Sequence, residues 1–220
     1  MSAGDAPLLS TVLVADDHPM FRAAMLHAIA GLVAEGGVVE VASQSALEAA
    51  VAAAPRIDLV LLDLTMPGAL GFSSLMRLRS ERPEVPLIVV SSNDHPRTVR
   101  RAQQFGAAGF VSKAAPAQAL REAVRAVMAG GTWFALDQAE GSEQDARLAA
   151  GLAQLTPQQF RVLMLLAEGL LNKQIAAELG LAENTVKIHV TAILAKLQCR
   201  SRTQAAVLLK TLDLEELQRD

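Results

Sequence analysis

Asp16, Asp17, Asp63, Ser91 and Lys113 share one property: each lies at or just past the end of a short apolar run, namely Thr11–Val14, Leu59–Leu62, Leu87–Val90 and Gly109–Val111. If those runs are strands of an open parallel sheet, the five side chains gather where their carboxyl ends meet, which is where such sheets bind ligands. Three carboxylates in one place repel each other unless a cation sits among them. Hard oxygen donors in that number suit Mg²⁺, which takes one or two carboxylates and keeps several waters. A metal-bound aspartate beside a lysine and a hydroxyl has the parts of a phosphoryl-transfer site. The carboxylate is the nucleophile, the cation bridges it to the phosphoryl oxygens, and the other two groups neutralise what remains. Any one Asp after a strand can be a mere turn or helix cap. The joint occurrence at separate run ends carries the argument.

Those side chains need a scaffold, and the first 130 residues alternate as one would. A fifth run, Val38–Ala42, joins the four above, and the runs at 59–62 and 87–90 are continuously apolar, as strands buried on both faces should be. Between the runs lie alanine-rich stretches of helical spacing at about 19–32, 45–54, 72–81, 97–105 and 116–129, with Pro19 and Pro116 near starts and Gly106 and Gly130 just past ends. Five strands alternating with five helices predict an α/β fold with a parallel sheet covered on both faces. Residues 131–150 lose that periodicity and read as a linker. Only helices follow. Thr156-Pro157-Gln158-Gln159 is a capping-box start, and further helices are expected at about 172–179, 183–197 and 203–218.

Composition narrows the function further. At 220 residues, 51% apolar and 20% charged, the chain has the size and grease for two globular domains. Aromatics are 3% with no tyrosine, which argues against an aromatic-lined ligand pocket or a base-stacking platform. One cysteine, Cys199, excludes an internal disulfide and a multi-cysteine zinc site and suits a reducing compartment. Asp5 and Pro7 interrupt any signal-peptide pattern, and no apolar run approaches the roughly 18 residues that span a bilayer, so a cytoplasmic protein without membrane contact is expected. The net charge of −3 is unevenly spread: residues 1–130 carry 11 basic against 12 acidic side chains, 131–150 one against four, and 151–212 seven against three. The basic balance of the last stretch is what a nucleic-acid partner would explain.

The motifs VADDHPMFR, LLDLTMPGALG, VVSSND and AAGFVSK resemble a bacterial response-regulator receiver domain over residues 8–130. The resemblance implies a flavodoxin-like strand order, 2-1-3-4-5. It makes Asp63 the phosphoacceptor. It implies that Asp17, Asp63 and the backbone carbonyl of Thr65 hold Mg²⁺, with Asp16 acting through a metal-bound water. Lys113 and Ser91 would take the phosphate, Phe110 would be an aromatic rotamer switch or an ordinary core residue, and Thr65 and Asn93 would tune dephosphorylation.

The stretch from Leu155 to Val207 is similar to the LuxR-type helix-turn-helix, which implies a four-helix DNA-binding domain over 151–220 and, fused to a receiver, a NarL/FixJ-type response regulator. In the residues themselves, Val186, Val190, Ile193, Leu194 and Leu197 form a buried stripe, leaving Thr185, Lys187, Ile188 and Thr191 to address a major groove. Asn184, Lys173, Lys196, Arg200 and Arg202 complete the candidate DNA contacts, with Lys187 where the family places a base contact. Leu171 and Ala182 stand where a capping serine is usual. Ala205, Leu208, Leu209 and Leu212 make an apolar face that serves either a dimer or the domain's own core.

Together these imply a two-component regulator, not an enzyme, in which phosphorylation controls double-stranded DNA binding and transcription. Its partners would be a sensor histidine kinase, a second copy when active, and RNA polymerase. Three other readings fit less, the first being a receiver that acts without phosphate through protein contacts, against which the intact acidic set argues. A haloacid-dehalogenase-type phosphatase wants an Asp where Thr65 stands, and a quorum-sensing regulator wants a roomy aromatic pocket.

Overall fold

The computed structural model describes residues 8–69, 71–134 and 143–217. They form two compact units, one built on a sheet and one all helical.

In the first unit, strands β1 (Val12–Ala15), β2 (Val38–Val41), β3 (Leu59–Leu62), β4 (Leu87–Ser91) and β5 (Gly109–Ser112) alternate with helices α1 (Pro19–Ile29), α2 (Gln44–Ala53), α3 (Ser73–Glu81), α4 (Pro96–Gln104) and α5 (Ala117–Met128). The sheet is parallel with order β2-β1-β3-β4-β5, as expected. Every residue of β1, β3 and β4 is buried, which explains their unbroken apolar sequence. Val12, Val14, Leu59, Leu61, Ile88 and Val90 share a core with Met25 and Ile29 of α1 and Val124 and Val127 of α5. Their alternates Leu13, Val60, Leu62 and Val89, equally buried, point to the other face. On the edge, β2 is half exposed and its Glu40 pairs with Arg22 of α1 at 3.3 Å.

Two elements depart from expectation. Helix α1 stops at Ile29 instead of continuing to 32, because Gly31 takes a left-handed φ of 77° and Leu9 bridges Val33, with Leu9 N donating to Leu32 O and Ala34 N to Leu9 O. Residues 32–34 are claimed by the sheet's rim. The expected linker 131–150 is structured at both ends. Trp133 donates its N–H to Ala108 O and accepts one from Phe110 N, adding a short bridge to β5. At the other end, helix α6 (Glu143–Ala153) buries Leu148, Ala149 and Leu152. The charged first turn of α6 hid this helix, whose apolar positions appear only in its last two turns.

The second unit continues with α7 (Pro157–Ala167), α8 (Asn172–Leu179), α9 (Glu183–Lys196) and α10 (Arg202–Leu217). Thr156 and Gln159 form the expected reciprocal capping box. Gly180 ends α8 in the left-handed conformation, φ 64°. The approach of α6 to the end of α9 needs Gly151, since a Cβ there would lie 2.8 Å from Lys196 O. Ala205 and Leu209 are buried in this unit's own core, so of the two uses open to that face of α10 these residues serve packing. The side chain of Leu212 lies outside the described residues.

Asp58 ties two strand starts together. Its Oδ2 accepts the backbone N–H groups of Ser10 (2.7 Å) and Thr11 (2.9 Å), and its Oδ1 that of the Arg56 guanidinium (2.7 Å). Burial pushes this carboxyl up, but the two backbone donors and Arg56 outweigh it and hold Asp58 below its ordinary value of 3.8. A carboxyl depressed by folding stabilises the fold above its unfolded pKa, and that contribution is lost as pH falls through the folded one. Asp58→Ala should therefore cost about 1–2 kcal/mol at neutral pH. Urea midpoints of the two proteins should converge as pH drops below the ordinary carboxylate value.

Candidate functional site

Parallel pairing sets the strand ends of β1, β3, β4 and β5 at one level. Ala15 is in register with Leu62, and Ser91 with Ser112. The next residues are therefore neighbours. Asp63 N donates to Ala15 O (2.8 Å), and Lys113 N to Ser91 O (2.9 Å). Asp16 and Asp63 are fully buried, and the Lys113 side chain is 3% exposed. The ammonium of Lys113 lies 2.7 Å from both Asp16 Oδ2 and Asp63 Oδ2, bridging them. It also sits 4.6 Å from the centre of the Phe21 ring, whose face adds a cation–π attraction.

The other oxygens of Asp16 and Asp63 are held by short local bonds. Thr65 donates its N–H to Asp63 Oδ1 (3.2 Å), and its hydroxyl lies within 3.0 Å of both Asp63 oxygens. Asp16 Oδ1 accepts His18 N–H at 2.7 Å. Asp17, one quarter exposed, places Oδ1 2.7 Å from His18 Nδ1. One ligating atom each from Asp16, Asp17, His18 and Asp63 lies within 4.8 Å of the others. With its carboxylates ionised, the cluster holds three negative charges against one ammonium, so it is two short of neutral. A divalent cation balances that charge, and the carboxylate donor set fits a hard one.

Ser91, 1% exposed, accepts Asn93 N–H on its Oγ at 3.2 Å, which leaves its own hydrogen to donate. Asn93 Oδ1 accepts His95 N–H, and His95 caps α4. Ser112 reaches back from β5 to Asp94 Oδ2 at 2.9 Å, tying the loop after β4 to the strand that carries Lys113. Phe110 is buried (5% exposed) in the middle of β5.

On α9, Asn184, Lys187, Ile188 and Thr191 are exposed together on one face, while Val186 and Ile193 are buried on the other. Ile188, at 61% exposure, has no packing role that would explain an isoleucine. Lys187 pairs with Glu183 one turn earlier at 3.0 Å, and Thr191 returns its hydroxyl to Lys187 O. Thr185 is half-buried. Lys173 and Arg200 are exposed on α8 and after α9. Lys196 and Arg202 make bonds within the unit. Lys196 Nζ donates to Gln154 O (2.8 Å) and Gln159 Oε1 (2.7 Å), and Arg202 Nη2 to Leu170 O (2.6 Å), so both brace the bundle. Leu171 caps α8 with no side-chain bond, but Gln174 Oε1 accepts its N–H at 2.7 Å. Ala182 begins α9 without a side-chain cap. Cys199 is half-buried, and burial pushes its thiol up, so it is a poor nucleophile. His18 and Phe21 were not among the residues singled out from sequence. The only signal for His18 was an imidazole immediately after an acidic pair.

The response regulator receiver domain family matches residues 12–125, and the luxR family of bacterial regulatory proteins matches 153–209. The chain is 36% identical over 203 residues to the glycerol metabolism activator of Pseudomonas putida, covering 88% of this chain and 92% of that one. It is 36% identical over 205 residues to the nitrate/nitrite response regulator protein NarL of Escherichia coli (90% and 94% covered). It is 35% identical over 202 residues to the DNA-binding transcriptional activator DevR/DosR of Mycobacterium tuberculosis (89% and 92%). Among solved structures, the response regulator RcsB in complex with DNA shares the fold, with a TM-score of 0.52 at 22% identity, covering 92% of this chain and 98% of that one.

The charge imbalance has a stability consequence. Asp63→Asn removes one of three crowded carboxylates and leaves Lys113 paired with Asp16, so in EDTA it should stabilise the fold by on the order of 1 kcal/mol, read as a higher urea midpoint. Millimolar Mg²⁺ should raise the wild-type midpoint and raise that of the variant less. A lower midpoint for Asp63→Asn in EDTA would show that the cluster is not strained by its own charge.

Proposed function

The chain belongs to the response regulators that join a receiver domain to a LuxR-type DNA-binding domain, and from that premise we propose that a phosphoryl group on Asp63 controls how α9 engages double-stranded DNA, and so controls transcription. The observation that carries the proposal is the buried Asp63–Lys113–Asp16 bridge, which pairs a nucleophile with the cation that would receive its new charge.

In the proposed transfer, an Asp63 oxygen forms a bond to the phosphorus of a kinase phosphohistidine. The P–N bond breaks, its electron pair leaves with the imidazole, and the product is an acyl phosphate. Lys113 exchanges its hold on Asp63 Oδ2 for a phosphoryl oxygen while keeping Asp16. The free Ser91 hydrogen supplies a second donor, which requires Asn93 and the loop behind it to shift. A Mg²⁺ held by Asp17, Asp63 and the Thr65 carbonyl, with Asp16 acting through water, would neutralise the phosphoryl oxygens during transfer. Phe110, on the strand that leads into Lys113, would respond by changing rotamer. Thr65 and Asn93 flank the acyl phosphate and set how readily water reaches it. The chemistry of the chain itself ends there, so its role is regulatory.

The DNA-binding face proposed is Asn184, Lys187, Ile188 and Thr191, with Thr185, Lys173 and Arg200 toward the phosphates. Lys196 and Arg202 support it from within. A domain this modest in charge neutralises few phosphates, so a pair of copies on one duplex supplies the affinity of the active form. A sensor histidine kinase upstream and RNA polymerase downstream complete the pathway, in the cytoplasm. Among the described residues no helix is long and apolar enough to cross a membrane.

The test is binding of the full-length chain to a duplex it has itself selected, at one fixed salt concentration. Beryllofluoride with Mg²⁺ should raise affinity at least tenfold in the wild type and leave Asp63→Asn unchanged. Lys187→Ala should weaken binding by about tenfold, in keeping with loss of one base contact. An equal response from Asp63→Asn would refute the control mechanism.

A further inference from the structure

One side chain at the acidic cluster is left unused by the phosphoryl-transfer reading. His18 follows directly on the Asp16-Asp17 pair and stands at the N-cap of α1 in extended conformation, φ −89° and ψ 111°, yet its ring caps nothing. The ring turns to the cluster instead. Nδ1 lies 2.7 Å from Asp17 Oδ1 and 3.5 Å from Asp16 Oδ1, while the backbone N–H of the same residue is bonded to Asp16 Oδ1. The Phe21 ring stands edge-on to the imidazole at 6.0 Å. At 57% exposure the His18 side chain is not placed there by burial. Lys113 occupies Asp16 Oδ2 and Asp63 Oδ2, on which the remaining donors do not depend.

We propose that His18 is a nitrogen ligand of this site and makes it take borderline divalent cations, of the Co²⁺ and Zn²⁺ kind, more tightly than oxygen ligands alone would. The inference rests on the reading of the cluster as a metal site. Two donors 2.7 Å apart subtend about 80° at an ion about 2.1 Å from each, close to one edge of an octahedron. Asp17 and His18 can therefore chelate one ion, and Asp63 offers a further oxygen within 4.8 Å of both donors. Imidazole nitrogen adds little for Mg²⁺, which prefers oxygen and water, and much for Co²⁺ and Zn²⁺. Such an ion competes with Mg²⁺ for Asp17 and Asp63 and so reports metal status at the phosphoryl site. The competing account makes His18 a hydrogen-bond donor that merely orients Asp17. That role would strengthen every cation in the same proportion.

The two differ in cation selectivity. Mg²⁺, Co²⁺ and Zn²⁺ binding should be measured by calorimetry on the full-length wild type and on His18→Asn, which places a residue favoured at helix N-caps there. His27, His95, His189 and Cys199 remain in both proteins, so the difference isolates His18. The expected result is at least a tenfold loss of Co²⁺ and Zn²⁺ affinity with less than a twofold change for Mg²⁺, and a Co²⁺ visible absorption spectrum that changes with the substitution. A parallel loss for all three ions, or no loss for Co²⁺ and Zn²⁺, overturns the proposal. The underlying reading is judged by a separate arm: Mg²⁺ affinity that Asp17→Ala leaves intact would count against the acidic cluster as the Mg²⁺ site, whatever the Co²⁺ result.

Discussion

A single buried ammonium holds the receiver unit's working end together. Lys113 Nζ is 2.7 Å from a carboxylate on β1's end and 2.7 Å from another on β3's end, with neither carboxylate exposed. Two like charges a few ångströms apart cost on the order of several kcal/mol at the effective dielectric of a protein interior. The lysine offsets much of that, and its backbone N–H, bonded to Ser91 O, fixes the strand that delivers it. Asp17 adds a third negative charge, and the single ammonium of Lys113 reaches only Asp16 and Asp63. The cluster therefore carries an excess of negative charge that a divalent cation would balance.

The sheet exists in the form this bridge requires. Parallel strands end at one level, so residues following β1, β3 and β5 meet without any long-range loop. Full burial of β1, β3 and β4 keeps those ends from fraying, and Asp58 ties the opposite ends of β1 and β3. Trp133 extends the same logic outward. Its carbonyl accepts the N–H of Phe110, and its Cβ is where a Cβ on residue 109 would crowd it at 3.3 Å. The chain leaving the receiver unit is thus bonded to the strand that carries Phe110 and leads into Lys113.

The fold was legible because burial on both faces writes strands as unbroken apolar runs, and because Pro19 and Gly130 mark helix ends at fixed positions. The acidic site was legible for the same reason: strand ends are easy to find, and charged residues after buried runs stand out. What escaped was set by tertiary contacts. Helix α6 begins in a charged stretch and is stabilised by burial of Leu148, Ala149 and Leu152, which no local pattern announces. The last turn expected of α1 was lost to pairing between Leu9 and Val33. The bonds of Lys196 and Arg202 within the bundle are likewise invisible in the local sequence. Whether a lysine faces solvent or, like Lys196, finds Gln154 O and Gln159 Oε1 depends on residues some forty positions away.

The central claim is that Asp63 itself forms the acyl phosphate. An acyl phosphate is reduced by borohydride to the alcohol, so phosphorylated aspartate becomes homoserine while a free carboxylate is untouched. The full-length chain should be incubated with acetyl phosphate and Mg²⁺, reduced, digested and sequenced by tandem mass spectrometry. The account predicts homoserine at position 63 and, when EDTA replaces Mg²⁺, little or none. Homoserine at another aspartate with position 63 intact, or none anywhere despite phosphate incorporation, would contradict it.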